Sequence, residues 1–267
     1  MVFLFLYMNK PIGVFDSGVG GTSIWKEIHQ LIPNESTIYL ADSKNAPYGE
    51  KSEEEILRLS IKNTEFLLEN GCKLIVVACN TATTNAINYL RENYKVPFIG
   101  IEPAIKPAAL QSKTKKVGVL ATKGTLSSSL FSNTSKLFAS GIKVYEQEGA
   151  GLVALVESGR QDSKETKRLL HQFISPMLEQ GIDCLVLGCT HYPYLIPTLQ
   201  KIVPKHITII DSGLAVAQQT KSVLEKNTLL NIDMEFSPKH LFYSNADPKV
   251  LEQLIGLAST EVCYLDF

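Results

Sequence analysis

Two cysteines occupy the same position in a segment that the sequence contains twice. Residues 69–81 and 179–191 align without a gap, and the alignment places Cys79 opposite Cys189. Each cysteine ends a short apolar run and is followed at once by hydroxyl, amide or imidazole side chains. A thiol at a duplicated strand end predicts two half-sites that face one cleft. Such a site suits chemistry that needs the same group on both sides of a substrate.

The residues that follow each cysteine favour a reactive thiol. Polar residues that cap a helix follow Cys79, and the positive end of a helix dipole lowers the pKa of a nearby thiol. The sequence after Cys189 repeats this arrangement, and His191 is near enough in the chain to act as a proton partner. We therefore expect thiolate character at both positions.

The other three cysteines, Cys72, Cys184 and Cys263, are interpreted as inert, buried residues. Five cysteines without a C-x-x-C pair fit a reduced protein better than a disulfide framework. A zinc site needs about four ligands, or three and a water, and these are not visible near either paired cysteine. Two strand ends in separate lobes are also a poor geometry for a disulfide. We expect no metal.

Two loops follow strand ends elsewhere in the first half. Residues 13–22 read as a strand and a glycine-rich turn into a helix, whose N–H groups can bind an anion. The glycine patterns of nucleotide-binding loops, G-x-G-x-x-G and G-x-x-x-x-G-K-[ST], do not occur here, so nucleotide binding has weak support. The alternative is a tight connection that needs glycine for its backbone, with Asp16 as a cap. Residues 41–49 form either a surface turn or a loop that presents N–H groups and Tyr48 to a ligand.

Short apolar runs alternate with stretches of helical periodicity along the chain, which predicts an α/β fold with parallel sheets and helices on both faces. A helix is expected over residues 53–69. In such sheets the ligand lies beyond the carboxyl ends of the strands, where both paired cysteines are expected. The predicted strands are residues 11–15, 37–41, 74–78, 98–101, 116–121, 143–146, 185–188 and 207–210.

The duplication extends beyond the cysteine segments. Residues 12–17 resemble residues 117–122, and residues 98–102 resemble residues 208–211 less closely. The repeated segments come in the same order in each half. We therefore expect two similar α/β lobes, each with a mainly parallel sheet, and the active site in the cleft between them.

The extent of the repeat sets the expected lobe boundaries. The first lobe comprises residues 1–104 and 212–267, and the second comprises residues 105–211. The last segment has no counterpart in the second lobe, and we expect it to pack back on the first.

Composition excludes several classes of partner. The chain has 267 residues and a formal net charge of −1, which gives no electrostatic footprint for nucleic acid or an anionic membrane. The apolar run at residues 1–7 is too short to span a bilayer. We interpret it as a start assigned one methionine too early, and the alternative is an extended first strand. We expect a cytoplasmic protein with no nucleic acid or membrane partner, and a homodimer is left open.

Four motifs in this order resemble those of the glutamate racemase family, within the aspartate/glutamate racemase superfamily. They are Phe-Asp-Ser-Gly-Val-Gly-Gly at 15–21, Pro-Tyr-Gly at 47–49, Ala-Cys-Asn-Thr-Ala-Thr at 78–83 and Gly-Cys-Thr-His-Tyr-Pro at 188–193. The Asp-Ser-Gly and Pro-Tyr-Gly motifs indicate the glutamate branch. One departure is Lys-Asn-Ala at 44–46 in place of the usual small–Arg–apolar run, which leaves that loop's contacts open.

The resemblance implies a cofactor-independent racemase that makes D-glutamate for peptidoglycan. It implies that Cys79 and Cys189 are the acid/base thiols, that Asp16 and His191 assist them, and that Glu157 is a further carboxylate of the site. Inversion of an α-carbon fits two thiols, because one base removes a proton from one face while the other delivers a proton to the opposite face. The implied substrate contacts are Asp16, Ser17, Tyr48, Gly49, Asn80, Thr81, Thr122, Thr125, Thr190 and His191.

Two alternatives stay open at this point. The first is a racemase with the same thiols that acts on aspartate or another amino acid. The second, from another class, is a ligand-binding α/β protein without catalysis. Loss of either cysteine would favour the second alternative, but both are present.

Overall fold

The strands alternate with helices and form two separate parallel sheets. The structure is a computed structural model that describes residues 8–138, 141–233, 235–256 and 261–267. Residues 1–7, and with them both interpretations of the N-terminal run, lie outside the described residues. The strands are β1 (Ile12–Asp16), β2 (Thr37–Ala41), β3 (Leu74–Val77), β4 (Phe98–Gly100), β5 (Lys116–Ala121), β6 (Lys143–Glu148), β7 (Cys184–Gly188), β8 (Thr208–Ile210), β9 (His240–Ser244) and β10 (Glu261–Tyr264).

The larger sheet has the order β10-β9-β2-β1-β3-β4, and the smaller sheet has the order β6-β5-β7-β8. The central strands are buried along their length, as expected for apolar runs covered on both faces. The two copies of the repeat share one register, since Val14 faces Val76 in the larger sheet and Val119 faces Val186 in the smaller. The expected α/β fold of two lobes with parallel sheets is confirmed.

Helices flank both sheets among the described residues. They are α1 (Thr22–Leu31), α2 (Glu53–Glu69), α3 (Asn80–Asn93), α4 (Ile105–Gln111), α5 (Lys123–Leu126), α6 (Ser129–Phe138), α7 (Leu152–Glu157), α8 (Lys164–Glu179), α9 (Ile196–Ile202), α10 (Gly213–Lys226) and α11 (Lys249–Ile255). Helix α2 shows why these segments fold locally: Ser52 caps its N-terminus, and three glutamates in its first turn complement the helix dipole. None of the described helices is long and apolar enough to cross a membrane.

The segment after residue 212 lies on the larger sheet. Helix α10 packs against α1, and β9 pairs with β2, which places β10 at the sheet edge. The sequence analysis missed β9 and β10, because neither is a continuous apolar run and β9 is only partly buried. The lobe boundaries given above stay a prediction.

The three cysteines other than Cys79 and Cys189 differ in exposure. Cys72 and Cys184 are buried, as expected, and burial raises the pKa of Cys72 to about 12 and that of Cys184 to about 11. Cys263 is only half-buried, so the expectation of burial was wrong there. The reason is its place in β10, at the edge of the sheet, where one side of the strand is uncovered.

Candidate active site

The two paired cysteines line one cavity between the sheets. Cys79 follows the end of β3 in the larger sheet, and Cys189 follows the end of β7 in the smaller sheet. Carboxyl ends of parallel strands meet at one edge of a sheet, so each sheet presents its thiol to the same cleft. The cavity has a volume of about 10 Å³, which is about the space of one water molecule.

Most of the residues singled out from the sequence lie in the wall of this cavity. Its lining consists of Ser17, Pro47, Tyr48, Gly49, Cys79, Asn80, Thr81, Thr122, Val153, Cys189, Thr190 and His191. The other three predicted residues, Asp16, Thr125 and Glu157, do not line the cavity but hydrogen-bond residues that do. An adjoining cavity of about 180 Å³ shares Gly49, Thr122 and Val153 with it and has the exposed residues Lys123 and Glu148 at its rim.

His191 lies between a thiol and a carboxylate. Its Nδ1 is 3.7 Å from the Sγ of Cys189, and its Nε2 is 2.5 Å from Oε1 of Glu157. Burial opposes a charge on the ring, but the hydrogen bonds to Cys189 and Glu157 and the charge of Asp16 outweigh it. The pKa of His191 is consequently well above its usual value. These contacts therefore favour a proton on the imidazole beside the Cys189 thiol.

Glu157 joins the two halves of the cleft. It ends helix α7, beside the smaller sheet, and its Oε1 accepts a hydrogen bond of 2.7 Å from the backbone N–H of Val19. Its Oε2 accepts a hydrogen bond of 2.8 Å from the hydroxyl of Ser43. Val19 and Ser43 follow strands β1 and β2 of the larger sheet. One carboxylate thus binds His191 and both loops of the opposite lobe.

Asp16 is fully buried at the end of β1. Its carboxylate accepts hydrogen bonds from the N–H of Gly21 at 2.8 Å and from the hydroxyl of Thr190 at 3.3 Å. Burial raises the pKa of Asp16, although the charge of His191 and the bond from Gly21 lower it. Cys79 also interacts with this carboxyl group. Each thiol therefore has its own titratable neighbour, Asp16 for Cys79 and His191 for Cys189.

The expected lowering of the Cys79 pKa was wrong. Cys79 does cap helix α3, and its Sγ accepts the N–H of Ala82 at 3.4 Å. Burial nevertheless raises its pKa well above the usual value, the charge of Asp16 adds to this, and the bond from Ala82 offsets only part of it. The arrangement around Cys189 also differs, because no regular α-helix begins there; a short 3-10 helix, Tyr192–Leu195, follows His191 instead.

The glycine-rich turn binds the protein's own side chains. The N–H groups of Gly18 and Gly21 donate to Asp16 and that of Val19 donates to Glu157, while that of Gly20 lies 3.3 Å from Nε2 of His191. The N–H groups of Gly18, Val19 and Gly21 are thus occupied by the protein's own carboxylates. This arrangement fits the alternative of a tight connection in which Asp16 acts as a cap.

The glycines of this turn are needed because side chains of the second lobe lie too close for a Cβ, and not because of their backbone conformation. A Cβ on Gly18 would lie 1.9 Å from Oε1 of Glu157, and a Cβ on Gly20 would lie 2.2 Å from Nδ1 of His191. Neither glycine adopts the left-handed backbone that favours this residue. The absence of side chains lets the second lobe place Glu157 and His191 directly on the turn.

Asn80 is the clearest sign of a ligand in this cavity. Both polar atoms of its side-chain amide are buried, and neither has a hydrogen-bond partner among the residues that the structure describes. A buried polar group without a partner is costly, so a native protein keeps one for a reason. Since Asn80 lines the cavity, its amide is available to a polar ligand there.

Three threonine hydroxyls close another side of the site. The Oγ1 of Thr81 lies 2.8 Å from that of Thr122 and 3.3 Å from that of Thr125. Thr81 follows β3 and the other two follow β5, so this cluster also spans the two sheets.

The loop with Tyr48 and Gly49 lines the cavity, in line with the interpretation of residues 41–49 as a ligand-facing loop. The Tyr48 hydroxyl donates to Asp42 and accepts from Asn63, so it is occupied within the protein. Gly49 packs against Thr122 of the opposite lobe. Because the phenol is occupied, the backbone of this pair is the part of the loop that is available to a ligand.

Some residues of the site were not anticipated from the sequence. Asp42 and Ser43 come directly after β2, much as Asp16 and Ser17 stand at the end of β1, and that parallel was a usable signal. Val153 lies within helix α7 and carries no sequence signal that separates it from a core valine.

Comparison with known proteins agrees with this geometry. Residues 12–220 match the Asp/Glu/Hydantoin racemase family. A glutamate racemase of Pseudomonas paraeruginosa is 46% identical over 250 residues, 93% of this chain and 94% of that protein. The crystal structure of Escherichia coli glutamate racemase with L-glutamate and the activator UDP-MurNAc-ala is 33% identical, with a TM-score of 0.84 and coverage of 96% and 97%. The glutamate racemase of Francisella tularensis with D-glutamate is 30% identical, with a TM-score of 0.83 and coverage of 97% and 98%.

The protein has two lobes with parallel sheets, and each lobe places one thiol in the same cavity. This geometry and these relatives define the protein as an amino-acid racemase, which is an isomerase. The chain belongs to the Asp/Glu/Hydantoin racemase family and, within it, to the glutamate racemases.

Proposed function

We propose that this protein interconverts L- and D-glutamate without a cofactor, by proton transfer at the α-carbon between Cys79 and Cys189. The observation that carries the proposal is a single cavity lined by one thiol from each sheet. Relatives with the same fold bind L-glutamate and D-glutamate. As the resemblance implies, the product D-glutamate is used for peptidoglycan. A cytoplasmic location stays a prediction.

The reaction needs a base on one face of the α-carbon and an acid on the other. One cysteine, as thiolate, takes the α-proton, so that the C–H bond breaks and an S–H bond forms. The opposite cysteine, as thiol, then gives its proton to the carbanion, so that its S–H bond breaks and a C–H bond forms. The reverse direction exchanges the two roles. Asp16 and His191 accept and return protons at the neighbouring sulfur atoms between turnovers.

The weakly acidic α-proton requires strong stabilisation of the transition state. We propose that the carboxylates of glutamate bind Ser17, Asn80, Thr81, Thr122, Thr125 and Thr190 and the backbone of Tyr48 and Gly49. Donors that are already in position in a dry cavity stabilise developing charge without reorganisation. Because the cavity has only about 10 Å³, glutamate enters when the lobes separate at the adjoining cavity and is enclosed when they close.

Circular dichroism of each enantiomer tests this proposal. The purified protein, without pyridoxal phosphate, should abolish the signal of L-glutamate and of D-glutamate, whereas the signal of L-aspartate should persist. Cys79→Ala and Cys189→Ala should each reduce racemisation by about two to four orders of magnitude, as expected for loss of an acid/base group. Cys72→Ala, which removes a buried thiol outside the cavity, is the matched control and should retain activity.

Each outcome has a definite meaning. Full racemase activity in either cavity variant would exclude the two-thiol mechanism. Comparable conversion of L-aspartate would overturn the substrate assignment and leave the mechanism in place. Inactivity of the unmodified protein toward both amino acids would favour the binding-protein alternative.

A further inference from the structure

The loop that brings Tyr48 and Gly49 to the cavity has little regular structure of its own. It runs from residue 42 to residue 49 and contains the 3-10 turn Ser43–Asn45 and the start of a second, Tyr48–Glu50. Its backbone hydrogen bonds are mostly local turns. A cavity wall made from such a loop needs side chains from elsewhere to hold it in one conformation.

Asp42 is the centre of the contacts that hold this loop. Its carboxylate is fully buried. The amide of Asn45 donates to its Oδ1 at 2.8 Å, and the hydroxyl of Tyr48 donates to its Oδ2. The nearest cation is Lys62, whose Nζ lies 3.6 Å from Oδ1. The beginning and the end of the loop are therefore tied to one carboxylate.

Asn245 binds this centre from the other end of the sequence. It follows strand β9, is 3% exposed, and donates from Nδ2 to Oδ1 of Asp42 at 2.5 Å. Its Oδ1 accepts the backbone N–H of Lys44 at 2.9 Å. Its own backbone N–H donates to Ala41 at 3.3 Å. A primary amide can donate to a carboxylate with its NH₂ group and accept an N–H with its oxygen at the same time.

We propose that Asn245 is a positioning residue for the substrate, which holds the loop at residues 42–49 so that the backbone of Tyr48 and Gly49 faces the cavity. The inference rests on the proposed function, in which that backbone binds a carboxylate of glutamate. It gives a role in binding to the C-terminal segment, which has no counterpart in the second lobe and none of whose described residues lies in the cavity wall.

A merely structural role for Asn245 makes a different prediction, and the chain offers a matched control. Asn231 belongs to the same C-terminal segment and is 5% exposed. Its backbone N–H donates to Glu35 at 2.7 Å, and its side chain donates to the carbonyl of Asn34 at 3.3 Å. These contacts lie at the opposite end of β2, away from the cavity. Asn231→Ala therefore removes a comparable buried amide without touching the loop.

The test compares Asn245→Ala, Asn245→Asp and Asn231→Ala in the full chain. Fluorescence of Trp25, the single tryptophan, gives the melting temperature of each variant. Asn245→Ala should raise KM for L-glutamate about tenfold with kcat within about threefold, because it weakens binding in ground and transition states alike. Asn245→Asp should raise KM further, because a second carboxylate faces Asp42. Asn231→Ala should lower the melting temperature with KM unchanged.

Hydrogen exchange of the loop amides gives a second readout that does not require activity. In Asn245→Ala, amides between residues 43 and 51 should exchange faster, and those of β1 should not change. The proposal is overturned if KM and loop exchange both stay at the unmodified values, or if Asn231→Ala raises KM equally. If the unmodified protein does not racemise glutamate, the proposed function fails, and loop exchange alone still decides whether Asn245 positions the loop.

Discussion

The hydroxyl of Ser43 donates a 2.8 Å hydrogen bond to Glu157 across the cleft. The same carboxylate binds His191 on its own side of the cleft. A negative charge so close to the imidazole favours the protonated ring. Contact between the lobes and the charge of the group beside Cys189 are therefore linked through a single side chain.

Glu157→Gln should shift the pH profile of the reaction. Removal of the negative charge lowers the pKa of His191, so the ring loses its proton at a lower pH. The alkaline limb of kcat should move to lower pH by about one unit, the size expected for loss of a neighbouring opposite charge. Ser43→Ala is the control, since it removes a bond between the lobes but keeps the carboxylate, and its alkaline limb should not move. An unchanged limb in Glu157→Gln would contradict the role given to this carboxylate.

Gly20→Ala should disable the site without a large loss of stability. Its Cβ would lie 2.2 Å from Nδ1 of His191, so the ring must move away from Cys189. We expect kcat to fall about 100-fold, as is typical when a catalytic group is displaced by about 1 Å. Gly71→Ala tests backbone strain alone, because Gly71 has a φ of +77° and nothing within 4 Å of its Cβ position. That variant should lose about 1 kcal/mol of stability and keep its kcat.

Asn80→Ala should separate activity from stability. The substitution removes two buried polar atoms that lack partners, so the melting temperature should stay constant or rise. It also removes a donor from the cavity, and kcat/KM for glutamate should fall about 100-fold. Thermal denaturation and steady-state kinetics on one preparation check both effects. A fall in melting temperature with normal kinetics would mean that the amide supports the fold and not the ligand.

Asp183 offers a test of acid stability away from the cavity. Partial burial raises the pKa of Asp183, but hydrogen bonds from Ser112, Thr114 and Lys113 lower it to about 2. A folded-state pKa below the unfolded value means stability that is present above about pH 4 and is lost as the pH falls through about 2. Asp183→Ala should lower the free energy of unfolding by about 1 kcal/mol at pH 7, because solvent screens this group.

The same comparison at low pH provides the check on sign. Melting temperatures of the variant and the unmodified protein should converge between about pH 4 and pH 2, where the native carboxylate takes up its proton. A difference that is constant across this range would show that the contribution is not electrostatic.

Much of the fold follows from local pattern. Strands β2 and β5 begin and end where the apolar runs predict, because a strand covered on both faces consists of consecutive apolar residues. Strands β9 and β10 escaped prediction because both mix polar with apolar residues; β9 is only partly buried, and β10 lies at the edge of the sheet.

The site was accessible from sequence only as a set of positions. The repeat places Cys79 and Cys189 at equivalent strand ends, and short motifs supply their neighbours. The pKa of Cys79 depends on burial by both lobes. Burial raises this pKa by more than the helix dipole, which the local sequence predicts, lowers it. Likewise, the contacts of the glycine turn with Glu157 and His191 join residues more than a hundred positions apart. No local pattern encodes such distances.

The small closed cavity also bears on how the two thiols meet oxidants. Cys79 and Cys189 are only 4% and 7% exposed, so peroxides and electrophiles have little access to either sulfur atom in this closed form. If the lobes open as proposed, we expect the rate of thiol modification to follow the fraction of time that the cleft is open. We then expect saturating glutamate to slow that modification.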